Sequence, residues 1–140
     1  MQTLTSFKPV INRSSRVLIS GSMPGAESLL KKQYYANSRN LFWKIIYAVF
    51  DSEPDPSYDE RIRFILSKGI ALWDVIESCT RTGSLDADIR DVRPNNFSML
   101  SEEYPGIRYV LFNGAKAYDT FRRNIGFTAP YITFRKMPST

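Results

Sequence analysis

Asn40 stands between a glycine–proline loop and an aromatic-rich helix, in the string that runs from Gly21-Ser22-Met23-Pro24-Gly25 to Tyr34-Tyr35 and on to Phe42-Trp43. Small residues, stacking rings and a carboxamide gather there, with no pair of catalytic carboxylates. That set suits a site that grips a flat polar heterocycle better than one built for acid–base hydrolysis. The chain has no histidine, so the commonest catalytic base and metal ligand is missing, and Ser-His-Asp and Cys-His mechanisms are excluded. Cys79 is the one cysteine; it can form no intrachain disulfide and cannot by itself hold zinc or an iron–sulfur cluster.

Each of these residues has a chemical and a plain structural reading. In Gly21–Gly25 two glycines let backbone approach a ligand, Pro24 stiffens the turn, and N–H groups ahead of a helix can donate to a carbonyl or an anion. The loop is neither a dinucleotide fingerprint nor a Walker loop, and it also reads as a simple strand-to-helix turn. Tyr35, just before the polar turn Ala36–Arg39, is the better stacking ring, whereas Phe42 and Trp43 open an apolar helix and should face inward. Asn40 either caps that helix or orients water and supports charge; its amide cannot act as a strong base. Asn113 offers a donor and an acceptor side by side, matching a nucleobase edge, or simply turns the chain with Gly114. The stretch from Asp74 to Asp86 reads mainly as structural, with Asp74 a loop brace, Ser84 a helix cap and Arg81 a candidate phosphate contact. Ser139 and Thr140 can clamp a phosphate or belong to a frayed tail.

These residues need a scaffold, and the hydrophobic pattern supplies one. Strands are expected at Arg16–Ser20, at Ile70–Trp73 with Val75, at Arg108–Phe112 and at Tyr131–Phe134. Helices are expected at Pro24–Gln33, Leu41–Phe50, Tyr58–Ser67 (ended by Gly69), Phe97–Tyr104 and Ala115–Arg123, with a polar loop and short helix over Ser84–Val92. Short apolar strands alternating with helices predict a three-layer α/β/α sandwich around a small, mainly parallel sheet of about four strands. Such a sheet binds ligands at the carboxyl ends of its strands. Gly21–Gly25, Asp74–Arg81, Asn113–Gly114 and Met137–Thr140 all fall there. The 140 residues support one domain, 1–140. Nineteen Lys and Arg against fourteen Asp and Glu give a net charge of +5, which favours a polyanionic partner such as nucleic acid. No run is long enough to span a membrane and no signal peptide opens the chain, so a cytoplasmic location is expected.

The blocks GSMPGAESL (Gly21–Leu29), QYYANSRNLFW (Gln33–Trp43), ALWDVIESCTRTGSLDADI (Ala71–Ile89), VLFNGAKAYDTF (Val110–Phe121) and MPST (Met137–Thr140), in this order, resemble the uracil-DNA glycosylase superfamily and, within it, the hypoxanthine-DNA glycosylase branch. The likeness spans nearly the whole chain. It implies a compact α/β/α fold and a monofunctional glycosylase that hydrolyses the N-glycosidic bond of a deaminated base, hypoxanthine or uracil, in DNA. It implies no metal or cofactor, and a monomer is expected. It places the catalytic role on Asn40 and base binding on Gly21, Ser22, Met23, Pro24, Tyr35 and Asn113. Arg39, Arg81, Ser139 and Thr140 are then the expected DNA contacts. Members of the branch usually read Tyr-Tyr-Ala-His-Pro-Arg-Asn, where this chain has Asn37 and Ser38, and their last motif continues with more serine, proline and alanine. The domain is therefore expected to be truncated at its C-terminus or to carry a shortened DNA clamp. A catalytically weak or inactive nucleic-acid-binding module of the same fold is the alternative; an unrelated small α/β hydrolase is disfavoured by the missing histidine.

Overall fold

The computed structural model describes residues 3–140. In chain order its strands are β1 (Thr3–Thr5), β2 (Val17–Ser20), β3 (Ile70–Leu72), β4 (Ile76–Thr80), β5 (Arg90–Pro94), β6 (Tyr109–Asn113) and β7 (Thr133–Met137). Its helices are α1 (Ala26–Lys31), α2 (Phe42–Val49), α3 (Tyr58–Ser67), α4 (Phe97–Glu103) and α5 (Ala115–Asn124). The four expected apolar strands form a single sheet in the order β3-β2-β6-β7, and every neighbouring pair is parallel. Ile19 sits between Leu72 of β3 and Leu111 of β6. The chain leaves β2 for β3 on one side, but leaves β6 for β7 on the other. The carboxyl ends of β2 and β6 therefore flank the topological switch point, where an open α/β sheet forms its crevice.

Alternation along the strands builds the outer layers. Leu18, Ala71, Val110 and Phe112 face α4 and α5, packing with Phe97, Leu100, Ala117 and Phe121. Ile19, Ile70 and Leu72 face the opposite way, against Phe42, Trp43 and Tyr47 of α2 and Ile65 of α3. Each fully buried side chain of this size contributes roughly 1.5–3 kcal/mol, so the two clusters are the main source of stability. Ser57 caps α3 by accepting from the Glu60 N–H at 3.1 Å, and Gly69, at φ +75°, takes the left-handed turn that stops it.

Three differences from the sequence expectation have local causes. A second, antiparallel sheet, β1-β4-β5, stands beside the first. Its strands are short and rich in Thr, Ser and Arg, and only Ile76, Cys79, Ile89 and their neighbours turn inward, against Met23. The pairing of β4 with β5 also shifts register twice, so period-two alternation is blurred. The expected short helix over Ser84–Val92 shrinks to one 3₁₀ turn at Asp86–Asp88, followed by β5. Ser84 does not cap that turn; its Oγ accepts from the Ala26 N–H at 2.7 Å and so caps α1. Finally, β7 starts at Thr133 rather than Tyr131, because Tyr131 adopts φ +67°, and it carries Met137 into the sheet opposite Asn113.

Phe112 is fully buried and meets the rings of Tyr118, Phe121, Phe127 and Phe134. Phe112→Ala should lower the unfolding free energy by about 3–5 kcal/mol, measured by chemical denaturation. A loss below about 1 kcal/mol, the range of a surface change, would mean this face is not a packed core.

Candidate functional site

The loops at the carboxyl ends of β2, β3, β6 and β7 enclose a cavity of about 370 Å³, and its lining includes the Gly21–Ser28 segment, Tyr34 and Tyr35, Asn37, Arg39 and Asn40, Asp74, Asn113, Ser139 and Thr140. The sequence-predicted residues Asn40, Gly21, Ser22, Met23, Pro24, Tyr35, Asn113, Arg39, Ser139 and Thr140 thus meet at one place. Arg81 is the one that does not.

A hydrogen-bonded chain joins the two carboxamides. The Thr140 hydroxyl donates to Asn40 Oδ1 at 2.8 Å and accepts from Asn113 Nδ2 at 3.0 Å. The Thr140 N–H donates to Asn113 Oδ1 at 2.9 Å, and Asn113 Nδ2 also donates to the Tyr35 hydroxyl at 3.2 Å. Both donors of Asn113 are committed, so in this arrangement its edge holds Thr140 and Tyr35 rather than standing free for a base. Asn40 is placed differently. Its Oδ1 also accepts from the Phe42 N–H at 2.9 Å, which fixes the orientation of the amide and saturates that oxygen. α2 starts at Phe42, one residue later than expected, with Leu41 at the N-cap position, so Asn40 ties down the helix entry from the residue before the cap while its amide still faces the site. The Asn40 Nδ2 group remains without a partner among the described residues, as a donor on the cavity wall.

Tyr35 is stacked on Phe42, with ring centroids 3.9 Å apart and planes 15° from parallel. Phe42 and Trp43 are buried behind it, as their place at the start of an apolar helix predicts. Tyr35 holds φ +56°, a left-handed conformation that costs a bulky residue of order 1–3 kcal/mol and is typically kept where the ring's position matters. Burial first, and the nearby Asp74 carboxylate second, push its hydroxyl's pKa well above the ordinary value. Ahead of Asn40, the Asn37 carboxamide accepts from the Arg39 N–H at 2.9 Å, and the Asn37 carbonyl accepts from the Asn40 N–H at 2.9 Å. This Asx turn stiffens the segment where the branch usually has His-Pro.

Two expectations are revised by burial. Met23 lines the cavity, but its side chain also packs with Ile76, Cys79 and Ile89 and is structural there. Arg81, expected at a phosphate, is buried with its Nη2 on the Pro24 carbonyl and its Nε on the Gly83 carbonyl, both at 2.7 Å. It ties two loops together and presents no charge to solvent.

Asp74 is the functional candidate that the sequence undervalued. It is almost fully buried, lines the cavity, and accepts the Gly21 N–H through Oδ1 at 3.1 Å. Its Oδ2 takes no hydrogen bond among the described residues and opens to the cavity. Burial raises its pKa from 3.8 to about 7; the Gly21 N–H opposes the rise and the Asp86 carboxylate adds to it. The missed signal was position, at the end of a buried strand next to the switch point, because nothing in the residue type separates a brace from a reader.

A carboxyl whose folded pKa lies above its unfolded one keeps a proton that the unfolded chain has released, so its contribution to stability falls as pH rises from 3.8 through about 7. Asp74→Asn should remove that dependence, and the variant should gain on the parent protein between about pH 4 and about pH 7 in urea unfolding. Identical pH slopes for the two proteins would mean that Asp74 titrates as an ordinary carboxylate.

Comparison with known proteins bears on the family and the fold. The family model described as "Uracil DNA glycosylase superfamily" matches residues 8–138. A protein of Methanosarcina acetivorans named hypoxanthine DNA glycosylase is 37% identical over 124 residues, covering 86% of this chain and 78% of its own. A protein of the same name from Methanosarcina barkeri is 36% identical over the same coverage. A solution NMR structure from M. acetivorans, described as a candidate uracil DNA glycosylase, superposes with a TM-score of 0.82 at 33% identity, covering 99% of this chain and 84% of that one. The resemblance read from the five sequence blocks is borne out: the chain belongs to the uracil DNA glycosylase superfamily.

Proposed function

We propose that this protein is a monofunctional DNA glycosylase that removes a deaminated base, hypoxanthine or uracil or both, from a nucleotide flipped out of the duplex. The observation that carries the reading is the meeting of Asn40, Tyr35 and the buried Asp74 carboxyl on one cavity at the sheet's switch point, in a chain whose relatives are named hypoxanthine DNA glycosylase. That naming disfavours the non-catalytic alternative. The protein works as a cytoplasmic monomer in this reading, and among the described residues no helix is long and apolar enough to cross a membrane.

Deamination gives the base a new edge. Adenine and cytosine present a bare ring nitrogen beside an amine; hypoxanthine and uracil present a ring N–H beside a carbonyl. An ionised Asp74 accepts that N–H through its open Oδ2 and repels the lone pair of an undeaminated ring. The backbone N–H groups of Ser22 and Met23 have no partner among the described residues and suit the neighbouring carbonyl; the Gly21 N–H is already engaged by Asp74. The base lies against Tyr35, whose other face Phe42 supports. Stacking of this kind contributes roughly 1–3 kcal/mol per base. Arg39 and Ser139, exposed on the cavity's rim, take the flanking phosphates.

The C1′–N bond then breaks with both electrons going to the base, leaving an oxocarbenium-like sugar. Water adds its oxygen to C1′ and releases a proton, the departing base gains one, and the products are the free base and an abasic site. Asn40 acts through its Nδ2 donor, since its oxygen is saturated, and stabilises negative charge as it develops. Thr140 and Asn113 hold that amide in place.

Duplexes carrying one hypoxanthine or uracil should yield an alkali-labile strand; absence of that product with both would overturn the reading. Asn40→Ala should slow single-turnover excision by about 10²–10³-fold, the usual cost of one transition-state donor, with binding to an abasic duplex retained. Excision should rise with pH through about 7 as Asp74 ionises, and Asp74→Asn should erase that limb. A pH profile unchanged in the variant would exclude Asp74 as the reader of the ring N–H.

A further inference from the structure

The cavity holds more negative charge than a neutral base requires. Three carboxylates line it, those of Glu27, Asp74 and Asp86, against one guanidinium, that of Arg39 on the exposed rim. The chain as a whole is basic, at +5, so this excess of carboxylates is local. We infer that the cavity also takes a base with a formal positive charge, N7-alkylated guanine, and removes it from DNA, an inference that rests on the glycosylase reading and widens its substrate class.

Asp74 is 5% exposed, and its Oδ2 opens to the cavity with no partner among the described residues. Asp86 is held on the lining rather than left free in solvent. The Ser22 hydroxyl donates to its Oδ1 at 2.7 Å, and two residues earlier the Ser84 Oγ accepts from the Ala26 N–H, so the segment is strapped to the Gly21–Gly25 loop. Asp86 stands near enough to Asp74 to oppose its ionisation. Keeping a second carboxylate beside a buried one is unfavourable, and a neutral base does not offset that repulsion. A cation between them does. Glu27, in the first turn of α1, adds its charge at the mouth. The Tyr35 ring, backed by Phe42, turns its other face to the base, and the quadrupole of such a face attracts a cation. The cavity of about 370 Å³ has room for a two-ring base with an added methyl group.

The edge of the base selects among cationic purines. N7-alkylated guanine presents a ring N–H beside a carbonyl, as hypoxanthine does, and its positive charge strengthens the hydrogen bond from that N–H to the Asp74 carboxylate. N3-alkylated adenine presents a bare ring nitrogen beside an amine, which that carboxylate repels. Unmodified guanine shares the favoured edge, but it is neutral, stays paired and would have to leave as an anion. For the alkylated base the C1′–N9 bond breaks with both electrons going to N9. Those electrons cancel the ring's charge, so the base leaves neutral and takes up no proton. Water adds its oxygen to C1′ and releases its proton to solvent.

The test measures single-turnover excision from duplexes carrying one N7-methylguanine, N3-methyladenine or hypoxanthine, with spontaneous loss subtracted. The unaltered protein should release N7-methylguanine as the free base and leave N3-methyladenine and guanine at background. Asn40→Ala should slow release of N7-methylguanine by less than about tenfold, far less than that of hypoxanthine, because no negative charge develops on the departing cation. Glu27→Gln combined with Asp86→Asn removes two charges and keeps an oxygen to accept the Ser22 hydroxyl. That double variant should lower the ratio of the N7-methylguanine rate to the hypoxanthine rate by about 3–10-fold, read at about pH 8, where Asp74 is ionised. Loss of N7-methylguanine at only the spontaneous rate would overturn the inference, as would an unchanged ratio in the double variant or a preference for N3-methyladenine. Hypoxanthine excision without N7-methylguanine excision defeats this inference alone; release of neither defeats the glycosylase reading and this inference with it.

Discussion

The hydrogen bond from the Gly21 N–H to the buried Asp74 carboxyl is the constraint on which the site depends. It joins the end of β2 to the end of β3 after the sheet pairing has stopped, and two backbone bonds continue the seam: the Val75 N–H to the Gly21 carbonyl at 2.8 Å and the Ile76 N–H to the Ser22 carbonyl at 3.1 Å. The seam has little room. A Cβ on residue 21 would lie 2.8 Å from Asp74 Oδ1 and 3.4 Å from the Tyr35 hydroxyl, so even alanine would force the carboxyl or the ring to move. Glycine at position 21 lets a carboxyl, an aromatic hydroxyl and a backbone loop share one corner of the cavity.

The price of that corner is a carboxyl removed from water with a single protein donor. An isolated buried carboxylate is costly, and the rise of its pKa to about 7 expresses the cost. Such a group is poised between charged and neutral forms at ordinary pH, a property that structural braces rarely need and that reading groups use. Asp86 lies close enough to add to the rise while holding Ser22 through its own hydrogen bond. The straps around the loop and the electrostatics of its floor are therefore coupled: releasing Asp86 would loosen Ser22 and ease the ionisation of Asp74 together.

How much of this was legible in the sequence follows from what each feature depends on. The parallel sheet was legible because Val17–Ser20, Ile70–Leu72 and Tyr109–Asn113 are buried strands with a dense apolar signature. The helices were legible to within a residue or two, since Asn40 ahead of α2 and Gly69 after α3 signal their ends locally. The small antiparallel sheet was not, because its strands are short, polar on one face and broken in register. Within the site, Asn40, Tyr35 and Asn113 stand out by residue type and by their neighbours. Asp74 and Arg81 do not, because their meaning comes from burial. The same carboxylate on a surface loop would be a brace, and the same guanidinium in solvent would be the phosphate contact its charge suggests.

Without a histidine, the proposed excision rests on dipoles already in place together with the Asp74 carboxyl. The Thr140 hydroxyl helps to orient two of those dipoles: it donates to Asn40 and accepts from Asn113, adding to the holds that the Phe42 N–H and the Tyr35 hydroxyl place on these amides. A neutral donor aimed in advance costs no reorganisation when charge develops on the leaving base, whereas a free amide would have to turn during the reaction. Fixing the amide through its oxygen also determines its chemistry. With Asn40 Oδ1 held by the Phe42 N–H and the Thr140 hydroxyl, the side chain can give a hydrogen bond to a departing base but has no lone pair left to take one from water. In the proposed reaction this geometry favours assistance to the leaving group over activation of the nucleophile, which is the balance expected where the sugar–base bond is largely broken before water arrives.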